Sequence, residues 1–241
     1  LMTAFFWASY ALLRQRSPLG ALAASAVGVL LVAPQQLWSV GFQLSYTVVL
    51  SILLFGLPLH EALQQRIRLY QFLPFDSWTT RQHVTVWVTE KVVLLFAISL
   101  SAWLASTPLS AGLFGIITPS AVVLNMLLVY FATLVICGGV ISISLGLIGL
   151  SFLSGFLNHA AWLNLSIMDT LVAWSTKLPG GILRSENFPT AFTHLSLIGY
   201  FTLLTCLHRD RTRLDSYALL LPPAWILTLV TAGYIWSLIA N

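Results

Sequence analysis

The sequence predicts an all-α fold: a polytopic integral membrane helical bundle of about eight spans, with amphipathic helices at the membrane surface. Three observations carry this. Of 241 residues, 58% are hydrophobic and only 7% charged, whereas soluble domains carry roughly 25% charged residues. No Asp, Glu, Lys or Arg lies between Arg16 and Glu61, or between Lys91 and Asp169, and one span needs about 20 such residues. The basic residues gather in short stretches between the apolar runs, as cytoplasmic loops do. This composition, with a mean hydropathy of +0.90, excludes a soluble globular domain, a disordered chain and a fibrous protein. The net charge of +4 needs no nucleic-acid explanation in a membrane protein.

The elements follow in order. Leu1-Met2-Thr3-Ala4-Phe5-Phe6-Trp7 reads as the interior of a span already under way, so the chain is expected to be a piece of a longer protein. This first span, 1–13, closes at Arg14-Gln15-Arg16-Ser17-Pro18. A second, 19–33, stops at Pro34, which lacks a donor and restricts the residue before it. Trp38 in the polar break after it fits an interfacial anchor. The third span is expected over 41–57. His60 to Leu73 is amphipathic, with Leu63, Ile67 and Tyr70 on one face, and reads as a surface helix ended by Pro74. A fourth span begins near Thr85 or Val92 and ends near Ser106. The small residues and proline of Ala105 to Gly112 then predict either a tight turn or a broken, re-entrant helix. A fifth span, 119–137, and a sixth, 140–157, are separated by a turn at Gly138-Gly139. A more polar helix over 158–178, a Pro/Gly loop over 179–191, a seventh span over 192–207, a charged loop at Arg209 to Arg213 and a last span over 217–239 complete the chain. No internal repeat is visible, and the chain is read as one transmembrane domain, 1–241.

The basic loops agree on one orientation. With Arg14 and Arg16 inside, Arg66, Arg68 and Arg81 fall inside, and so do Arg209, Arg211 and Arg213. Lys177, Arg184 and the C-terminus fall outside.

Chemistry-bearing sets are sparse. His60-Glu61 begins like H-E-x-x-H, but Gln64 replaces the second histidine. None of the five histidines is spaced as a metal cluster. His159 and Asp169 would stand about 15 Å apart on one helix and cannot meet unless it breaks. Neither a phosphate-binding G-x-x-x-x-G-K-[ST] loop nor a G-x-S-x-G elbow occurs. Cys137 and Cys206 lie in apolar runs and read as packing residues rather than a disulfide. No catalytic residue, cofactor or metal is expected. The spans instead hold neutral polar groups: Gln43, Ser45, Thr47, Ser99, Ser101, Ser106, Thr107, Asn125, Thr133, Ser142 and Ser144. Hydroxyls of this kind usually bond their own backbone or a neighbouring helix. Gln43 and Asn125 need partners for both donor and acceptor, and fit helix packing or the lining of a path equally.

One stretch goes further. Pro34, then Gly41-Phe42-Gln43-Leu44-Ser45-Tyr46 opening a span, resembles the P…GFQLSF signature of ComEC-type competence proteins. In order around it stand Met2, Arg14 and Arg16, then Ala102-Trp103-Leu104-Ala105-Ser106-Thr107-Pro108-Leu109, Phe114-Gly115 and Asn125, as in that family. The chain departs from the pattern at Ala33 and Tyr130. The resemblance implies a channel in the bacterial cytoplasmic membrane that passes single-stranded DNA inward during natural transformation. The implied partners are single-stranded DNA, the lipid bilayer, other DNA-uptake proteins and a nuclease domain whose H-x-H-x-D-H motif this sequence lacks. Candidate path or packing residues are Gly41, Gln43, Ser45, Pro108 and Asn125. The competing expectation is a multi-pass permease for small molecules or lipids.

Overall fold

A computed structural model describes residues 18–67, 79–178, 180–185, 187–209 and 218–239. The expected first span and its Arg14 and Arg16 lie outside the described residues, as do Arg68, Tyr70, Leu73, Pro74, Pro179, Arg211 and Arg213. The described chain is all-α, apart from one pair of two-residue strands. In order it forms α1 (Pro18–Val32), a 3-10 turn (Pro34–Trp38), α2 (Val40–Ser51), a π turn (Ile52–Gly56), α3 (Leu57–Arg66), α4 (Thr80–Phe114), β1 (Ile116–Ile117), α5 (Ala121–Leu147), α6 (Ser151–Thr176), β2 (Leu183–Arg184), α7 (Thr190–Arg209), a second 3-10 turn (Ala218–Leu220) and α8 (Leu221–Ile239). β1 pairs with β2. Among the described residues, five segments are long and apolar enough to cross a membrane: Val40–Arg66, Thr80–Phe114, Ala121–Leu147, Thr190–His208 and Ala218–Ile239. Pro18–Val32 is a shorter apolar helix.

Three boundaries differ from the sequence expectation, each for a physical reason, and so does the placing of the cysteines. The third span does not hand over to a separate surface helix near residue 58. It runs on through the π turn to Arg66, because the π turn accommodates Pro58. The N–H of Leu57 reaches the carbonyl of Ile52, five residues back, and the wider turn relieves the clash of a proline ring with the carbonyl four back. Ala105 to Gly112 is neither a turn nor a break. Pro108 sits inside a continuous 35-residue helix that ends at Gly115, whose φ of 63° is left-handed. Hydroxyls of Ser106 and Thr107 donate to the Trp103 carbonyl at 3.3 and 2.6 Å. Both bonds lie one turn before the proline, beside the Leu104 carbonyl that Pro108 leaves without its usual N–H.

The third difference is at Gly138-Gly139, which lies within α5 rather than in a turn. Two glycines weaken a helix by about 1 kcal/mol each, but a break within the bilayer would strip backbone groups of their partners. The turn comes instead at Gly149, with φ 88°. Residues 151–157 therefore belong to the same helix as the polar stretch that follows them. The fourth difference concerns the cysteines: Cys137 and Cys206 are free, and both lie on exposed helix faces rather than packing inside.

The chain groups into two compact units, Leu1–Ile116 with Ser185–Asn241, and Ile117–Arg184. In the first, α4 packs against α2, the π turn, α7 and α8. Its interior holds Phe55, Leu104, Tyr200, Leu204 and Ile226, all essentially inaccessible. Glycines set the closest approaches. A Cβ on Gly199 of α7 would collide with the Trp225 indole of α8, and one on Gly112 of α4 would collide with Thr193 of α7. The second unit is the hairpin of α5 and α6. Its polar seam is Ser142, whose hydroxyl lies 2.9 Å from both Ser154 Oγ and Asn158 Oδ1.

Candidate functional site

The signature stretch forms the entrance of α2. Ser39 caps the helix, its hydroxyl accepting from the Phe42 N–H at 3.3 Å. Gln43 donates back to the Leu37 carbonyl at 3.1 Å, tying α2 to the 3-10 turn before it. Gly41 and Ser45 are exposed, and a Cβ on Gly41 would meet nothing within 4 Å. Tyr46 reaches α1, donating to Ser25 Oγ at 3.2 Å. Pro108 is fully buried in α4, and its carbonyl accepts from Thr193 Oγ1 of α7 at 3.2 Å. These four candidates, Gly41, Gln43, Ser45 and Pro108, belong to the first unit. Asn125, on α5, belongs to the second and is partly exposed.

A set of residues not singled out as a site from the sequence lies deeper in the first unit. Ser51, at the end of α2, donates to the Ser101 carbonyl of α4 at 2.8 Å. The same hydroxyl lies 2.7 Å from the Tyr200 hydroxyl of α7. All three residues are completely buried. Phe55 of the π turn meets the Tyr200 ring edge-on at 6.3 Å. Gly56 lets α4 approach, since a Cβ there would stand 2.7 Å from Ser101 Oγ. Helix rise places Ser51 about 17 Å from the start of α2, Ser101 about 20 Å from the end of α4 and Tyr200 about 15 Å from the start of α7. Those three helix ends share one side of an up-and-down bundle. The cluster therefore sits inside the bundle, about three helical turns from those ends.

Apart from Tyr200, the buried polar side chains among the described residues are serines and threonines, including Ser25, Ser51, Ser101, Thr107, Thr193 and Ser196. No three His, Cys, Asp or Glu side chains converge among the described residues. His159 and Asp169 both lie on the unbroken α6, where His159 Nδ1 contacts the Gly155 carbonyl at 2.7 Å. They are not brought together.

This layout agrees with a family assignment. The model of the family described as "Competence protein" matches residues 1–210. The chain belongs to the competence protein family. No curated protein and no solved structure matches it. The family and the long apolar helices make it a membrane protein with a role in competence, the uptake of DNA. The matched range includes the signature stretch of α2, Pro108, Asn125 and α7.

Proposed function

We propose that this competence domain conducts single-stranded DNA inward across the bacterial cytoplasmic membrane, without chemistry by its own residues. The observation that carries the reading is the make-up of the interior. Where three membrane-depth helices meet, the buried polar groups are hydroxyls and a backbone carbonyl, with no buried carboxylate among the described residues. A path for a polyanion avoids fixed negative charge and favours neutral polar walls with basic mouths. Arg66 and Arg81 lie at the ends of α3 and α4 that the basic-loop rule places inside. Hydrolysis of the incoming strand, and the force that draws it in, then fall to other segments or partners of the uptake machinery.

The test is DNA entry in a transformable strain with the gene deleted. Cells receive labelled duplex DNA, and label protected inside is counted separately from label bound outside. Binding that persists while internal label disappears, with recovery on complementation, supports the channel. Unchanged entry sinks it. The same hydroxyl interior suits a neutral solute, so a permease is the second reading. A growth or lipid phenotype with normal DNA entry would favour that reading.

A further inference from the structure

We propose that the π turn Ile52–Gly56 is a two-register hinge in the span Val40–Arg66, and that the Ser51–Tyr200–Ser101 contact holds it in the π register. Its link to DNA passage rests on the channel reading; the hinge itself does not. A π turn is an α-helix with one residue too many, and such turns concentrate where helices change shape. If the extra residue is absorbed, everything on one side turns by about 100° and shifts by about 1.5 Å relative to the other. Here one side is α2, carrying the signature stretch, and the other is α3, which ends at Arg66.

The sequence explains why the turn forms at this place. Pro58 has no N–H to close a regular turn, and its ring would press on the Leu54 carbonyl. The Leu57 N–H accordingly bonds Ile52, five residues back. Proline alone does not force this, because Pro108 sits in α4 without a π turn. The difference lies in the neighbours. Around Pro108 the helix keeps its regular register, and the inter-helix bond there, from Thr193 of α7, falls on the Pro108 carbonyl itself. At Pro58 the register is held from outside, by Tyr200 and Ser101 on Ser51, by the Tyr200 ring on Phe55 and by Ser101 against Gly56.

Two features make this register replaceable. Its latch is a pair of neutral hydrogen bonds, which are weak even in a membrane. On the α3 side, His60 Nδ1 is buried without a hydrogen-bond partner, so the present register leaves a polar group unsatisfied just beyond the hinge. Turning α3 by one residue moves that nitrogen to new surroundings. The Gln64 to Glu90 bond, at 3.1 Å between α3 and α4, would break in the same motion.

The experiment uses the full chain in nanodiscs, with Cys137 and Cys206 replaced by serine and spin labels at Gln65 of α3 and Thr205 of α7. The starting protein should give one dominant distance. Tyr200→Phe should raise a second, resolved distance at least threefold in population, and Pro58→Ala should act in the same direction. Deleting Leu54 together with Pro58→Ala removes the extra residue while keeping both flanks aligned. That variant should retain the dominant distance alone, insert normally, and lower DNA entry at least tenfold in cells. An unchanged single distance in both Tyr200→Phe and Pro58→Ala overturns the hinge. Normal DNA entry by the inserted deletion variant overturns its role in passage. Failure of the unaltered chain to support entry would overturn the channel reading instead, and the distances would still decide the hinge.

Discussion

The two longest described helices make an instructive pair. α4 and α5 are both long and apolar, and α5 is the more apolar, yet 56% of the apolar window of α4 is buried against 6% of that of α5. In a soluble protein the order would be reversed, because burial follows hydrophobicity. In a bilayer the lipid is as apolar as leucine, so hydrophobicity marks the surface and packing is carried by small and hydroxyl residues. The buried positions of α4 read Ala97, Ser99, Ser101, Ala105, Thr107 and Ala111, joined by Val93, Leu104, Pro108 and Leu109. The exposed positions of α5 read Val123, Leu127, Leu134, Ile136, Val140 and Ile143.

The largest effect that would break this comparison is a charge on α5. Leu134→Arg places a guanidinium where hydrocarbon is expected and should cost about 3 kcal/mol of insertion. A topology reporter after α5 would show most chains failing to span. Normal insertion would mean that this face meets water or protein. Next comes truncation. Leu104 is fully buried and Leu134 is 59% exposed. Leu104→Ala should therefore destabilise by about 2 kcal/mol, the low end for a core leucine because the unfolded reference already lies in lipid. Leu134→Ala should change thermal stability in detergent very little. Equal losses at the two positions would remove the distinction between the helices.

Glycine substitutions sharpen the contrast at smaller magnitude. Gly199→Ala must push Trp225 aside and separate α7 from α8, a loss of about 1–3 kcal/mol. Gly138→Ala and Gly139→Ala meet open space on α5. They should stabilise the helix by up to about 1 kcal/mol each. Melting of the purified protein distinguishes the two signs.

How much of this could be read from the residues differs by feature. Helical class, the starts of α1, α2 and α7, and the end of α8 follow from uninterrupted apolar runs with polar or proline borders. Gly138-Gly139 and Ala105 to Gly112 mislead, because breaker residues act through a solvent that can satisfy a broken backbone, and hydrocarbon cannot. The Ser51, Ser101 and Tyr200 cluster was out of reach for another reason. Its members are 50 and 149 residues apart along the chain, and each looks like an ordinary hydroxyl in an apolar run. The one available signal is indirect: serine, glycine and alanine at helical spacing within a span mark a face that packs closely.

The smallest expected change in stability bears most directly on function, and it sets α2 against α5 once more. Gln43 is bonded only to the carbonyl of Leu37 at the entrance of its own helix. Asn125 is partly exposed on α5, and makes no hydrogen bond among the described residues. Gln43→Leu should thus lose no more than about 1 kcal/mol, and Asn125→Leu should lose nothing or gain slightly in detergent melting. Neither residue holds helices together strongly, so packing leaves little room to explain a functional defect. A several-fold drop in protected DNA at unchanged membrane level would then place the amide on the path. If Gln43→Leu lowers entry and Asn125→Leu does not, the path follows the first unit and the α5 amide takes no part in it. If both variants take in DNA normally, the signature amide acts only to set the start of α2, and the search for the path moves to the buried hydroxyls around Tyr200.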